Sequence, residues 1–282
     1  MKPDKIHLDF LLYNGEQEGL IKCSRAMDSL AAYRIPRMVA NKCKHIKDLQ
    51  RSGVYMLIGE DEKQNTTLYV GQGAVRANGN GVLGRMLEAH TTKAGQSNNE
   101  WTEAIVFVSR LVDLNVAALS YLEHHLCKKI KGAGRVMLKN DKTPPLSTFS
   151  EELECDMPRY MEQLELLLKG LGFNILEPYN DNRKLEIKYK NGRGYGINEG
   201  SSFVVFANSI LNDQPTNSCP KSVLKEREKL TTEGKIKNGK LINNIRFSSP
   251  SAAASFIGGA SLNGWTEWKT KTGLSLKEFS GT

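Results

Sequence analysis

Two short apolar runs, each with a tyrosine close to a glycine, constrain this chain more than any other feature. GVYMLIG (53–59) and TLYVG (67–71) are bounded by glycine and connected through the polar stretch EDEKQNTT. Short apolar runs closed by turn formers read as strands, and a polar connection of this length makes them a hairpin with a long loop. Two strands that each carry a tyrosine beside a glycine bring paired phenols to one hairpin.

The residues C-terminal to the hairpin extend it into a block. After the glycine-rich GAVRANGNG, the run VLGRMLEAH reads as a helix with Val82, Leu83, Met86 and Leu87 on one face. AIVFVSR (104–110) is a strongly β-branched third strand, and LNVAALSYLEHHLCKKIK is a second helix with Leu119, Leu122, Leu126 and Ile130 at three-to-four spacing. GAGR and NDKTPP close the block at Pro145, so residues 51–145 form a β-β-α-β-α unit. Ahead of it, residues 1–50 are a lead-in, with DFLLY (9–13) as a strand, an extended stretch before Pro36 and a short helix from Arg37 to Leu49. Behind it, residues 146–182 are a helical connector and linker, in which Met157-Pro158 marks a break or a helix start.

Residues 183–282 read as a second small domain. KLEIKYK and SFVVFAN are strands and KSVLKEREKL is a basic helix. A further helix starts at Ser249-Pro250 and stops at Gly258-Gly259. The fold class is α+β, with the strands and helices of each domain layered on one another.

Composition narrows the setting. The 282 residues are 39% hydrophobic, enough for two modest cores. No apolar run reaches the ~18 residues of a membrane helix, and MKPDKIHLDF lacks the apolar segment of a signal peptide. The expectation is a cytoplasmic protein with no membrane partner. Cys23, Cys43, Cys127, Cys155 and Cys219 are scattered, with no CxxC pair, and read as reduced thiols. The formal charge of +8 is unevenly spread: from Asp181 onward the net is +7, against +1 before it. A polyanionic partner for the C-terminal third fits that asymmetry, and so does a merely solvated surface.

The polar residues of the 51–145 block fall in an ordered set: Tyr55 and Tyr69 on the strands, Arg85 and His90 on the first helix, Glu123 beside the apolar stripe of the second, and Asn140 after it. That set resembles the GIY-YIG nuclease superfamily, with Gly53-Val54-Tyr55 and Tyr69-Val70-Gly71 as its two named motifs. The resemblance covers about a third of the chain. It implies a metal-dependent endonuclease acting on DNA. Tyr55 serves as the base, Tyr69 and His90 orient water or relay the proton, and Arg85 contacts the phosphate. Glu123 is the metal ligand, and Gly53, Gly71 and Asn140 support the site. The cofactor implied is Mg²⁺, with Mn²⁺ as a substitute. Hydrolysis of a phosphodiester needs those functions: a hard cation that keeps its waters and takes phosphate oxygens, a guanidinium fork for the phosphate, and a group that moves the proton. A phenol of pKa about 10 becomes a base only beside a cation.

Two features depart from the family pattern. The stretch from Gly71 to Arg85 is long and rich in Gly and Asn, which keeps Arg76 open as a second candidate for the arginine, and His90 falls five residues after Arg85 rather than four. Each residue also has a structural reading: the tyrosines as strand aromatics, Arg85 as a solvated side chain, His90 as a helix-end cation, and Glu123 as a salt-bridge partner, although Cys127 rather than a lysine stands one turn on. His124 and His125 point about 100° apart on a helix and are poor joint ligands.

The segment FSSPSAAASFIGGASLNGWTEWK (247–269), with the strand and basic helix before it, is similar to a C-terminal domain found behind GIY-YIG domains and associated with restriction enzymes and adenine methylases. The resemblance covers roughly residues 185–279 and implies DNA recognition, modified bases included, in restriction, phage defence or DNA processing. Lys221, Lys225, Arg227 and Lys229 are the candidate phosphate contacts. Trp265 and Trp268 are read as core anchors ahead of base-stacking platforms. The competing classes are a non-catalytic DNA-binding protein that keeps the nuclease fold, and a protein-interaction adaptor whose lysines are only solvated. A single site that cuts both strands calls for a homodimer or for sequential nicking, and the residues leave both open.

Overall fold

The computed structural model describes residues 5–13, 15–61, 66–76, 81–89, 101–140, 142–146, 150–200 and 202–281. The chain divides into two units, Met1–Glu177 and Pro178–Thr282, and both mix helices and sheet in the α+β manner. The division falls inside the expected connector. The lead-in is not a segment apart: its strands join the sheet of the 51–145 block.

In the first unit the strands are β1 (Asp9–Leu12), β2 (Ile21–Ser24), β3 (Leu30–Pro36), β4 (Gly53–Glu60), β5 (Thr66–Gly73), β6 (Trp101–Ser109) and β7 (Met137–Leu138). They form one sheet in the order β1-β2-β3-β6-β4-β5-β7. Neighbours are antiparallel except β5 and β7, which run parallel over Thr67↔Met137 and Leu68↔Leu138. The two-residue period of a strand sorts the side chains into layers. Val54, Met56, Ile58, Leu68, Val70, Ile105 and Phe107 face the helices α3 (Val116–Ala133) and α4 (Glu151–Gly170). Tyr33, Ile35, Tyr55, Leu57, Val106 and Val108 face α2 (Val82–Ala89), the short α1 (Arg37–Ala40) and the 3₁₀ turns after it. Both faces being covered, GVYMLIG reads as a continuous apolar run rather than an alternating one.

The helix ends follow local chemistry. Asn115 caps α3 by accepting from the Ala118 N–H at 2.8 Å, and Gly134, at φ 62°, closes it. α4 starts at its cap Ser150 and runs unbroken past Pro158, where a break or start was expected. The buried stripe of Met157, Met161, Leu164, Leu167 and Leu168 outweighs the single backbone hydrogen bond that the proline removes. Among the described residues no helix is long and apolar enough to cross a membrane.

The second unit holds an antiparallel sheet in the order β13-β10-β9-β8, from β8 (Leu185–Tyr189), β9 (Gly192–Asn198), β10 (Phe203–Val205) and β13 (Ile245–Phe247). A tight hairpin pairs β11 (Ile236–Lys237) with β12 (Lys240–Leu241) through Asn238 and Gly239, both at positive φ. The helices are α5 (Lys221–Thr232), α6 (Pro250–Gly258), α7 (Gly264–Glu267) and α8 (Leu276–Ser280). α6 starts on its Ser249 cap with Pro250 in the first turn and ends at Gly259, as the sequence predicts. It packs against the inner face of the sheet. There Gly192, Gly194 and Gly196 recur at every second position of β9. A Cβ on Gly194 would lie 2.7 Å from Ile187, 2.9 Å from Ile257 and 3.0 Å from Trp268, so the strand is stripped of side chains where the helix layer presses closest.

Candidate active site

The register of β4 on β5 sets the site. Tyr55 lies opposite Gly71 and Tyr69 lies opposite Leu57, so both phenols stand on the α2 side of the sheet, with ring centroids 6.3 Å apart and planes at 42°. Tyr55 is 1% exposed. Gly71 is glycine because the Tyr55 ring lies across it: an added Cβ would fall 2.4 Å from Cζ and 2.5 Å from the hydroxyl oxygen. Gly73 does the same for the helix, since a Cβ there would lie 2.8 Å from the Val82 Cα and 2.9 Å from the Arg85 Cβ. The two glycines of LYVGQG thus let a phenol and a helix settle onto β5, and α2 carries Arg85 to the tyrosines. A Gly71→Ala substitution has nowhere to put its methyl group except by moving the Tyr55 hydroxyl. We expect it to cost about 1–3 kcal/mol in a denaturant melt; a melt unchanged from the parent would mean that Tyr55 is free to move.

Gln72, between the glycines, points to the other face. Its Nε2 donates to Glu123 Oε2 at 2.9 Å, so the carboxylate on α3 is held at β5 from the side opposite the tyrosines. The edge of β5 is paired over only part of its length. β7 pairs only with Thr67 and Leu68. Asn140 then acts as the next rung, its Oδ1 accepting from the Val70 N–H and its Nδ2 donating to the Val70 carbonyl, both at 2.9 Å. Past Val70 no strand among the described residues pairs with that edge.

Electrostatics tie the four groups together. Burial pushes the Tyr55 hydroxyl well above the usual phenol range; Tyr69 and Glu123 add to this, while Arg85 pulls it down. Tyr69 is raised by burial, then by Glu123 and Cys127, again against Arg85. The Glu123 carboxyl is raised by burial, opposed by the Gln72 hydrogen bond and by Arg85. One guanidinium therefore acts on both phenols and on the carboxylate. Both phenols are held protonated at neutral pH, and the expected base role of Tyr55 requires a further positive charge at the site.

Arg76 forms an ion pair with Glu88 instead, which leaves Arg85 as the arginine of this cluster. His90 lies outside the described residues. His124 Nδ1 lies 2.7 Å from the Pro144 carbonyl oxygen, and His125 packs on Tyr121 with centroids 4.1 Å apart. Among the described residues no three His, Cys, Asp or Glu side chains gather as a metal cage. A single carboxylate with one oxygen engaged by an amide suits a cation that keeps most of its waters and takes phosphate oxygens, as Mg²⁺ does. The donor set fits that ion and is too sparse for a structural zinc site.

In the second unit Lys221, Lys225 and Lys229 are exposed on α5. Arg227 is not available to a phosphate as expected. Its guanidinium turns inward and donates to the carbonyls of Phe256 (2.5 and 2.9 Å), Ile257 (3.0 Å) and Asn212 (2.8 Å), the first two at the C-terminal end of α6, where a cation is favoured. The tryptophans part as well. Trp268 is fully buried, its indole N–H donating to the Pro250 carbonyl at 3.0 Å, whereas Trp265 is 38% exposed. The residue that sequence reasoning missed in the first unit is Gln72; its position out of phase with Tyr69 and between two glycines was the signal for a side chain aimed at the opposite helix.

Comparison with known proteins bears on the second unit. No curated protein and no solved structure matches the chain. A family model described as a domain of unknown function (DUF4357) matches residues 184–280, so the chain from the start of β8 to the end of α8 is similar to that domain, and the tyrosine–glutamate cluster lies outside the match.

Proposed function

We propose that the chain is a metal-dependent DNA endonuclease of the GIY-YIG type, with the second unit aiding DNA recognition. The observation that carries the reading is the placement of Tyr55 and Tyr69 side by side on β4 and β5, with Glu123 tied to β5 through Gln72 and Arg85 acting on all three. Arg85 is half of a phosphate clamp whose fork matches two phosphoryl oxygens. Glu123, steadied by Gln72, would hold Mg²⁺ or Mn²⁺. A bound Mg²⁺ polarises a phosphoryl oxygen and acidifies its water. The phenols orient the attacking water and relay its proton, and the buried walls strengthen each of these interactions. With one site per chain, double-strand cleavage takes a homodimer or two successive nicks. The setting in restriction, defence or DNA processing rests on the resemblance.

The test is supercoiled plasmid incubated with the purified chain in Mg²⁺. Nicked or linear product is expected, absent in EDTA and reduced about 10²–10⁴-fold by Tyr55→Phe, the range for loss of a proton-transfer group. Plasmid left intact but retarded on a gel would replace this reading with a non-catalytic DNA-binding protein.

A further inference from the structure

The sheet of the second unit carries a row of cations that the helix-based expectation did not include. Lys188 on β8 pairs with Arg193 on β9. Arg193 pairs with Ile210 through reciprocal backbone hydrogen bonds of 2.7 and 2.8 Å. Ile210 pairs with Lys240 on β12, and Lys240 pairs with Lys237 on β11. Residues directly opposite in antiparallel pairs point to the same side of a sheet, so these five positions form one line across five strand segments. All five are exposed, while their inward neighbours Ile187, Leu211, Ile236 and Leu241 are buried.

At ~4.8 Å per strand the line is roughly 19 Å long. Like charges directly opposite one another destabilise a sheet, and Lys188–Arg193 and Lys237–Lys240 are two such pairs. None of the four cations has an ion-pair partner among the described residues. The acids nearby are few. Glu186, two residues along β8, has Lys269 beside it across a backbone bridge. Asp213 accepts from Asn191 at the turn between β8 and β9. On α5, by contrast, Glu226 and Glu228 stand among Lys221, Lys225 and Lys229.

We infer that the row Lys188–Arg193–Lys240–Lys237 is a duplex DNA backbone-binding surface, the choice of DNA resting on the nuclease reading above. Its length spans about six nucleotides of one strand at ~3.4 Å each. The contacts are to phosphates, so the row gives affinity and register rather than sequence. Ile210 is a gap in it, 43% exposed and apolar.

The experiment measures binding of a 20-base-pair duplex to the full chain by fluorescence anisotropy as KCl is varied. Each phosphate contact contributes about 0.9 to the slope of log K against log salt. Replacing all four cations with Gln is expected to flatten the slope by about 3–4, while Lys221→Gln/Lys225→Gln/Lys229→Gln changes it less. Ile210→Lys fills the gap and is expected to steepen the slope by about 0.9, a gain that misfolding cannot mimic. An unchanged slope in the fourfold variant overturns the inference, as does a parent chain that ignores the duplex but binds phosphatidylserine vesicles. The nuclease reading is tested apart from this: loss of Mg²⁺-dependent nicking with the slope change intact sinks the nuclease and leaves the row, and the converse sinks the row alone.

Discussion

Glu123→Gln is expected to abolish plasmid cleavage and yet melt no earlier than the parent at pH 8. The cleavage loss should be at least 10²–10³-fold, the range for deleting one preorganised electrostatic group from an active site. The stability result stems from burial. Glu123 is 8% exposed, and burial raises its carboxyl above the usual range despite Gln72 and Arg85. A carboxyl raised on folding binds more protons in the native state than in the unfolded one. Its stabilising share is therefore complete below the unfolded pKa and is lost as pH rises through the folded pKa. At pH 8 the native chain bears a desolvated charge that the amide does not. The amide can still accept from Gln72, so the hydrogen bond survives. In EDTA, the melting temperature of Glu123→Gln should equal or exceed the parent's at pH 8, with the gap closing as pH falls toward the carboxylate range. A variant that unfolds early at pH 8, or that still cuts, would make Glu123 a packing residue.

The largest loss of stability is expected from Trp268→Ala. The indole is wholly buried, lies 4.5 Å from the Phe203 ring by centroids and donates to the Pro250 carbonyl at the start of α6. Truncation opens a cavity between the sheet and α6, so a cost of about 3–5 kcal/mol is expected. Total stabilities run at about 5–15 kcal/mol, so the loss is a large share of the margin. Trp265→Ala, three residues away and exposed, should stay within about 0.5 kcal/mol. Urea titrations of the two variants decide the matter. If Trp265→Ala costs more, the exposed tryptophan and not the buried one holds the unit together.

The elements that carry the candidate site were more legible than the scaffold around them. Tyr55 and Tyr69 lie on short apolar runs closed by glycine, and Arg85 and Glu123 on helices with an apolar stripe; local pattern alone places such elements. The span GRGYGIN was missed as strand β9 because glycine is depleted in strands; its signal was spacing, with Gly192, Gly194 and Gly196 at period two. The hairpin at Lys237–Lys240 was missed although Asn-Gly is the strongest short hairpin signal, because its flanking strands are two residues each. Arg227 reads as a surface cation from its charge alone, although it stands on the apolar face of α5 with Val223, Leu224 and Leu230. Its partners come from the packing of α5 beside the end of α6, and that contact joins residues about thirty apart. The pairing of β3 with β6 is of the same kind, since Tyr33 meets Val106 and no local pattern announces a partner so distant.

That pairing also decides how the protein can be cut. The span that sequence would excise as a domain, residues 51–145, leaves β3 behind and strips β6 of one neighbour. The strand so bared carries AIVFV at Ala104–Val108, each residue wholly buried in the intact sheet. An unpaired apolar β-branched edge, without proline or charge, is a template for intermolecular strand addition and cross-β growth. The lead-in thus serves as the sheet's gatekeeper, occupying the edge along which strands of other copies would otherwise add.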